Sequence, residues 1–140
     1  MVERPRRYAQ HTKVPVSRTR DQIVELMRRA GADAFLFGED SGRATIGFRL
    51  AGRYLRFTVP IPERGDDQLV RARWRALLLV VKAKLEAAAI GLSTIEEAFL
   101  LDTLLPDRRT VAEIVAPQIE IAYRDGKMPP LLPYYGDRDA

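Results

Sequence analysis

Arginine and tyrosine side chains on two short alternating segments have the clearest capacity for chemistry in this sequence. Residues 43–50 and 53–61 alternate apolar with polar side chains, and the turn signal Ala51-Gly52 between them predicts an antiparallel hairpin. Alternation places one polar set on a single face or at its edges: Arg43, Arg49, Arg53, Tyr54 and Arg56. Guanidinium groups contact phosphates and a tyrosine ring can stack on a base, so this face suits nucleic acid. The pattern equally suits the solvated side of an antiparallel sheet, and both interpretations stay open.

Residues 1–16 form a second basic segment with few core-forming side chains. The cations in it that could follow a phosphate backbone are Arg4, Arg6, Arg7 and Lys13. A solvated terminal arm is the alternative interpretation. Charge is uneven along the chain, because residues 1–64 carry 13 Lys+Arg against 7 Asp+Glu, net +6, whereas residues 65–140 carry 10 against 12, net −2. The N-terminal half is therefore the candidate region for an anionic partner.

Residue types that enzymes commonly use are scarce. The chain has no cysteine and one histidine, His11, so one copy offers no thiolate and no histidine pair for a metal. The adjacent carboxylates Glu39-Asp40 and Asp66-Asp67 are expected in a turn and at a helix start without any metal. No Gly-rich phosphate loop, nucleophile elbow or cofactor fingerprint is present. We therefore expect a non-enzymatic protein with no cofactor and no metal site.

A long central helix is the strongest structural signal. Within residues 66–90, apolar side chains recur at helical spacing, namely Val70, Trp74, Leu77, Val81, Leu85 and Ala88. The run 77–81 is apolar all round, which predicts cover from more than one neighbouring element. The longest apolar run, 76–81, is far shorter than the roughly 20 residues that a membrane span needs.

A helix and three strands are predicted before the central helix. The first helix is expected over about 18–30, with Thr19 and Gln22 at capping-box spacing and Gly31 as its stop. The strands are expected near 34–38, 43–50 and 53–61. Their core-facing side chains in the hairpin are Ile46, Phe48, Leu50, Leu55, Phe57, Val59 and Ile61.

Two helices are predicted after the central helix. The first is expected over about 94–105, opened by a capping box at 93–96. The second follows the capping box Thr110/Glu113, ends at Gly126 and contains Pro117, which is expected to kink it.

The proline-rich segment 127–135 presents apolar side chains at low entropic cost, namely Met128, Leu131, Leu132, Tyr134 and Tyr135. We expect it to cross the protein's own core as a strap, because an exposed apolar run of this size is a liability. The alternative is a docking peptide that a protein partner covers.

Together these elements predict an α+β fold: a helix, a three-stranded antiparallel β-meander, a long central helix packed on the sheet, two further helices and the strap. The chain is expected to divide into a basic arm at 1–16, one domain at 17–135 and a polar tail at 136–140. The N-terminus lacks the apolar stretch of a signal peptide, so we expect a cytoplasmic protein.

Four runs of sequence carry a resemblance to a known group. They are HTKVPVSRTR (11–20), GFRLAGRYLRFTVPIP (47–62), RWRALLLVVKAKLEAAAIGLSTIEEAFL (73–100) and LPDRRTVAEIVAPQIEIAYRDGKMPPLLP (105–133). Together they resemble a group of small proteins encoded by tailed bacteriophages and prophages. The resemblance covers most of the chain and implies a phage setting in the cytoplasm of a bacterial host. It implies no activity, cofactor or site residue.

Two hypotheses for function remain at this point. In the first, the basic arm and the sheet face bind DNA or RNA, as a protein of host takeover or transcription regulation would. In the second, the same surface or the proline-rich segment docks on a host or phage protein such as RNA polymerase or another nucleic-acid machine. Neither involves a membrane, and the sequence is silent on oligomeric state.

Overall fold

The computed structural model of the protein describes residues 12–133 and confirms the predicted α+β architecture. The elements in chain order are α1 (Val16–Arg29), β1 (Ala34–Glu39), β2 (Arg43–Leu50), β3 (Arg53–Pro60), α2 (Asp67–Ala89), α3 (Ile95–Ala98), a 3₁₀ turn (Leu100–Asp102) and α4 (Val111–Asp125). Helices α1 and α2 contact each other, and the side chains between them and the sheet form the core. None of the described helices is long and apolar enough to cross a membrane.

The sheet is an antiparallel meander with strand order β1-β2-β3. Its second turn, Ala51-Gly52, has φ values of 53° and 73°, and positive φ at both central residues is the geometry of a type I′ turn. This turn places Phe48 opposite Leu55 and Ile46 opposite Phe57. The predicted hairpin and its register are confirmed.

One face of the sheet, here called the inner face, lies against the helices. Its predicted core side chains in β2 and β3 are buried, and Ile61, just after β3, is partly buried against them. Four phenylalanine rings meet edge to face across the strands, with centroid distances of 5.6 Å for Phe35–Phe48, 6.1 Å for Phe48–Phe57 and 6.1 Å for Phe57–Phe99. Such pairs contribute about 0.5–1.5 kcal/mol each beyond the burial of their area.

Helix α2 begins and packs as its sequence predicts. The Asp66 side chain accepts a hydrogen bond from the Leu69 backbone N–H at 3.0 Å, which confirms its capping role. Trp74, Leu78 and Val81 are the buried side chains of this helix. The all-round apolar run is thus covered by the sheet on one side and by α1 on another.

Helix α1 begins earlier than the capping pattern indicated. Its first residue is Val16, preceded by Pro15, and no side chain caps it. Thr19 lies fully buried inside the helix, so the predicted capping role of Thr19 is wrong. The Pro15 carbonyl accepts hydrogen bonds from the Arg18 N–H at 3.1 Å and the Thr19 N–H at 3.2 Å, and these are the first backbone hydrogen bonds of the helix.

The predicted helix at 94–105 forms over part of that range, as two short pieces. Only α3 and the 3₁₀ turn form, and the cap is Thr94, which accepts a hydrogen bond from the Glu97 N–H. The chain then leaves helical geometry because the Leu104 N–H donates to the Tyr54 carbonyl at 2.7 Å, at the edge of β3. Pairing with a strand edge therefore overrides the local helical pattern.

Helix α4 carries the predicted capping box but leaves its later turns uncovered. Thr110 and Glu113 exchange both cap hydrogen bonds, and Gly126 ends the helix with φ of 65°. Ile114 is the only side chain of α4 that is buried, while Tyr123 is 89% exposed. The main contacts of α4 are with the 3₁₀ turn.

The interpretation of the proline-rich segment as a buried strap is wrong for the three side chains that can be described. Met128, Leu131 and Leu132 are all exposed, and Tyr134 and Tyr135 lie outside the described residues. The core is formed by side chains of α1, the sheet, α2 and Phe99, and this segment contributes none of its described side chains to it.

Trp74→Ala is expected to lower the free energy of unfolding by about 3–5 kcal/mol, because it removes a large ring from a packed core. The matched control is Leu92→Ala, whose side chain is 79% exposed and whose loss should change stability by less than about 0.5 kcal/mol. Urea denaturation of both variants checks this. Equal midpoints for Trp74→Ala and wild type would contradict the described core.

Candidate partner-binding face

The face of the sheet opposite the helices is here called the outer face. It carries three of the binding residues predicted from the sequence, Arg49, Tyr54 and Arg56. The register aligns its side chains in three rows across the strands: Ala34, Arg49 and Tyr54; Leu36, Gly47 and Arg56; Gly38, Thr45 and Thr58. Neighbours in a row are near enough for their side chains to interact. The predicted grouping of Arg49, Tyr54 and Arg56 on one face is therefore confirmed.

Arg49 is held in a two-pronged ion pair on this face. Its Nε donates to Asp33 Oδ1 at 2.7 Å and its Nη2 donates to Asp33 Oδ2 at 3.0 Å, while its Cζ lies 6.0 Å from the centre of the Tyr54 ring. The hydrogen bonds from Arg49 lower the pKa of the Asp33 carboxyl below its usual value. The same hydrogen bonds, with a contribution from Tyr54, raise the pKa of Arg49. Much of the charge of Arg49 is thus compensated within the protein.

Arg56 ties the sheet to the start of α4. Its Nη2 forms an ion pair with Glu113, and its Nη1 donates to the Arg108 carbonyl at 3.2 Å. Glu113 also accepts a hydrogen bond from the Thr110 backbone N–H at 3.0 Å, as part of the capping box. Arg56 consequently has a structural role that the sequence pattern did not indicate. Reversing its charge would place two carboxylates at the helix cap, so such a variant would lose stability as well as any binding.

An apolar groove of about 150 Å³ lies between these two arginines. Its floor is Gly47, where an added Cβ would sit 3.5 Å from the Leu55 carbonyl oxygen and 3.6 Å from the Leu36 Cβ. Its walls include Leu36, which is 71% exposed, and Leu104. Sequence reasoning missed all three wall and floor residues. Gly47 alone gave a usable signal, because a glycine inside an alternating strand often marks a place where another group approaches closely.

The remaining cationic candidates within residues 12–133 do not join one patch. Arg43 pairs with Asp40 at 3.5 Å at one end of the hairpin. Arg53 stands at the other end, paired in register with Leu50 of the inner face, so the expectation that it borders the outer face is not met. Lys13 is exposed just before α1. Arg4, Arg6 and Arg7 lie outside the described residues.

The carboxylates considered for a metal have structural partners. Asp40 Oδ1 accepts hydrogen bonds from the backbone N–H groups of Gly42 at 2.9 Å and Arg43 at 3.1 Å, which close the turn between β1 and β2 and lower the pKa of Asp40. Across residues 12–133, no group of three or more His, Asp or Glu side chains is arranged to hold a metal ion.

Comparisons of the chain with models of known protein families, with curated proteins and with solved structures find no match. The resemblance to bacteriophage proteins therefore stays an expectation. The geometry of the outer face carries the functional argument by itself.

The Asp33–Arg49 pair should make stability depend on acidity. A carboxyl whose pKa is lowered in the folded state adds stability that is present above its unfolded pKa and is lost as the pH falls through its folded pKa. The difference in the free energy of unfolding between wild type and Asp33→Asn should therefore be largest above about pH 5 and shrink towards about pH 2. Denaturation curves across this range check the expectation. Arg49→Gln removes the same pair, so its free energy of unfolding should also depend less on pH than that of wild type. A difference between wild type and Asp33→Asn that is the same at every pH would contradict the pairing.

Proposed function

We propose that this protein is a non-enzymatic binding protein that docks on a protein partner through its outer face. The observation that carries the proposal is the open groove above Gly47, with Leu36 and Tyr54 exposed beside it and Arg49 and Arg56 at its rim. Tyrosine and arginine are enriched at the energetic centres of protein interfaces, where apolar anchors enter pockets of the facing surface. A groove of this size accommodates one apolar side chain of a partner.

The two rim arginines favour a partner with a carboxylate next to its apolar anchor. Asp33 engages two of the five N–H donors that a guanidinium carries, so Arg49 retains donors for a second carboxylate. Asp33 and Glu113 already hold the side chains of Arg49 and Arg56 in place. These two arginines therefore lose less side-chain entropy when a partner binds.

The bacteriophage resemblance supplies the setting of the proposal. In that setting the protein acts in the cytoplasm of a bacterial host, and its partner is a host or phage protein such as RNA polymerase or another nucleic-acid machine. Such assemblies offer acidic surfaces that a basic protein would approach by electrostatic steering.

Combining Leu36→Ser with Tyr54→Ala should abolish capture of the partner from a nuclease-treated host lysate. Both side chains are exposed, so stability should change by less than about 1 kcal/mol while the interface loses two anchors. The matched control combines Leu92→Ser with Tyr123→Ala, which removes an exposed leucine and an exposed tyrosine elsewhere. Quantitative mass spectrometry should find a protein enriched by wild type and by the control but not by the outer-face variant. Equal enrichment by all three would contradict the proposal.

Nucleic acid remains a second candidate for the same face. Tyr54 is 55% exposed beside Arg49, and residues 1–64 carry a net charge of +6 from 13 Lys+Arg against 7 Asp+Glu. An exposed ring next to a guanidinium is an arrangement that stacks on a base and contacts its phosphate.

On the nucleic-acid hypothesis, a labelled single-stranded oligonucleotide should bind wild type with an affinity that falls steeply with salt. Tyr54→Ala should weaken it by about 1–3 kcal/mol through lost stacking, whereas Tyr123→Ala should not. Fluorescence anisotropy at several salt concentrations measures both effects. If the oligonucleotide binds weakly and Tyr54→Ala does not change its affinity, the nucleic-acid hypothesis is contradicted and binding to a protein partner is the proposal that stands.

A further inference from the structure

Within residues 12–133, no strand pairs with the edge of β1 that faces away from β2. The Asp40 N–H donates to the Arg43 carbonyl at 3.0 Å, in continuation of the register between β1 and β2. Hydrogen-bonding direction alternates along an antiparallel strand, so the backbone groups of Phe35, Phe37 and Glu39 face away from β2. Among the described residues, these three N–H groups have no hydrogen-bond acceptor. Natural proteins usually protect such an edge with lysine, proline or a bulge, and β1 contains no lysine and no proline.

By their usual dimensions, two packed helices are wider than a three-stranded sheet. Packed helices lie about 8–10 Å apart, so α1 and α2 together cover roughly 20 Å. Strands are spaced at about 4.8 Å, so three strands span roughly 14 Å and four would span roughly 19 Å. Two helices thus match a four-stranded sheet, and the described fold has three strands. Since β3 lies against the 103–104 segment, the place for another strand is beside β1.

A cavity of about 450 Å³ lies beneath the start of α1, at the end of β1. Among the side chains lining it are Val16, Arg20, Phe37, Glu39, Val70 and Trp74. Phe37 is 44% exposed there although it belongs to the inner face, where its neighbour in register, Ile46, is fully buried. The cavity gives room for side chains on the inner side of an added strand.

Two arginines of α1 overhang this edge. The Arg20 guanidinium lies 5.0 Å from the Phe37 ring centre, and the Arg28 guanidinium lies 4.9 Å from the Phe35 ring centre. Arg20 has no ion pair within residues 12–133, and Arg28 has only an exposed contact with Glu25 at 3.5 Å. Glu39 is the one acidic side chain of β1. Positive charge therefore prevails along the inner side of the open edge.

From these observations we infer that β1 takes up an extended acidic segment of another protein as a fourth strand of the sheet. The backbone of the segment pairs with Phe35, Phe37 and Glu39, as in other cases of strand addition. Its inner-side carboxylates reach Arg20 and Arg28, and its outer-side apolar residues lie beside Leu36. The edge shares Leu36 with the groove over Gly47, but Arg20 and Arg28 do not line that groove, so their charge reversal tests the edge apart from the proposed function.

A second copy of this chain fits the edge less well than a lone segment. Pairing β1 with its counterpart would also bring a second α1 to the same edge. Two helices need about 8–10 Å between their axes, whereas adjacent strands supply about 4.8 Å. An isolated extended segment carries no helix and meets no such crowding.

The test uses the capped peptide Val-Glu-Val-Glu-Val-Glu-Val as the probe and Val-Lys-Val-Lys-Val-Lys-Val as its matched control. Binding of the glutamate peptide should slow amide hydrogen exchange at Phe35, Phe37 and Glu39, which nuclear magnetic resonance resolves residue by residue. Leu36 and Gly38 should already exchange slowly in the free protein, because their amides face β2. A glutamate peptide N-methylated at alternate residues, on the edge that would pair with β1, should not bind.

The charge preference should follow the two overhanging arginines. Arg20→Glu with Arg28→Glu should weaken the glutamate peptide at least about tenfold and favour the lysine peptide, because opposite charges set partner choice at a rim. Arg18→Glu with Arg124→Glu makes the same change in charge at two exposed sites away from β1 and should leave the preference intact. Equal affinity for both peptides would overturn the inference, as would unchanged exchange at the three amides. If the three amides become protected without peptide as the protein concentration rises, a second copy of this chain pairs with β1, and the inference is overturned.

Discussion

The edge-to-face contacts among Phe35, Phe48, Phe57 and Phe99 run through the core on the inner face of the sheet. They cross all three strands and reach the segment that follows α3. Because the rings lie on the inner face, every intervening residue of β2 and β3 is directed to the outer face by the alternation of a strand. A shift of one residue in register would expose the rings and bury the arginines, so the packing of the rings also determines which residues a partner can meet.

The outer face combines support for the fold with capacity for binding. Arg56 and Glu113 join β3 to the cap of α4, and Arg49 and Asp33 join β2 to the residue before β1. Partly exposed pairs of this kind add little to stability, but they restrict the positions of two long side chains. The arginines therefore act less as free cations than as fixed walls of a groove whose floor is a glycine. This property favours a shaped protein surface over a flexible phosphate backbone.

The two edges of the sheet are protected to different extents. At the β3 edge, the Leu104 N–H donates to Tyr54 and the Arg73 side chain donates to the Pro60 carbonyl at 2.9 Å. Proline at the end of β3 also removes one donor from that edge. Among the residues that the structure describes, none gives the β1 edge either device, and its Leu36 and Phe37 side chains are exposed. An edge left in this condition in a small domain is costly unless something pairs with it, because it invites aggregation.

Local patterns in the sequence were sufficient for much of the fold. The period of α2, the alternation of β2 and β3, the Asp66 cap and the capping box at Thr110 depend on residues within about four positions of one another. These patterns also placed Arg49, Tyr54 and Arg56 on one face. The early start of α1 was missed because no side chain caps it, and α3 ends early because Leu104 pairs with β3.

The binding properties of that face were decided only by the tertiary structure. Arg49 meets a carboxylate 16 residues away and Arg56 meets one 57 residues away, and no local period specifies either pair. The groove exists because Leu104 comes back to β3 beside a glycine on β2. Met128 and Leu132 are likewise exposed because the core is built from α1, the sheet, α2 and Phe99 without them. Periodicity selects which side of an element is apolar, but only the packing of whole elements determines which apolar sides are covered and which cations are neutralised.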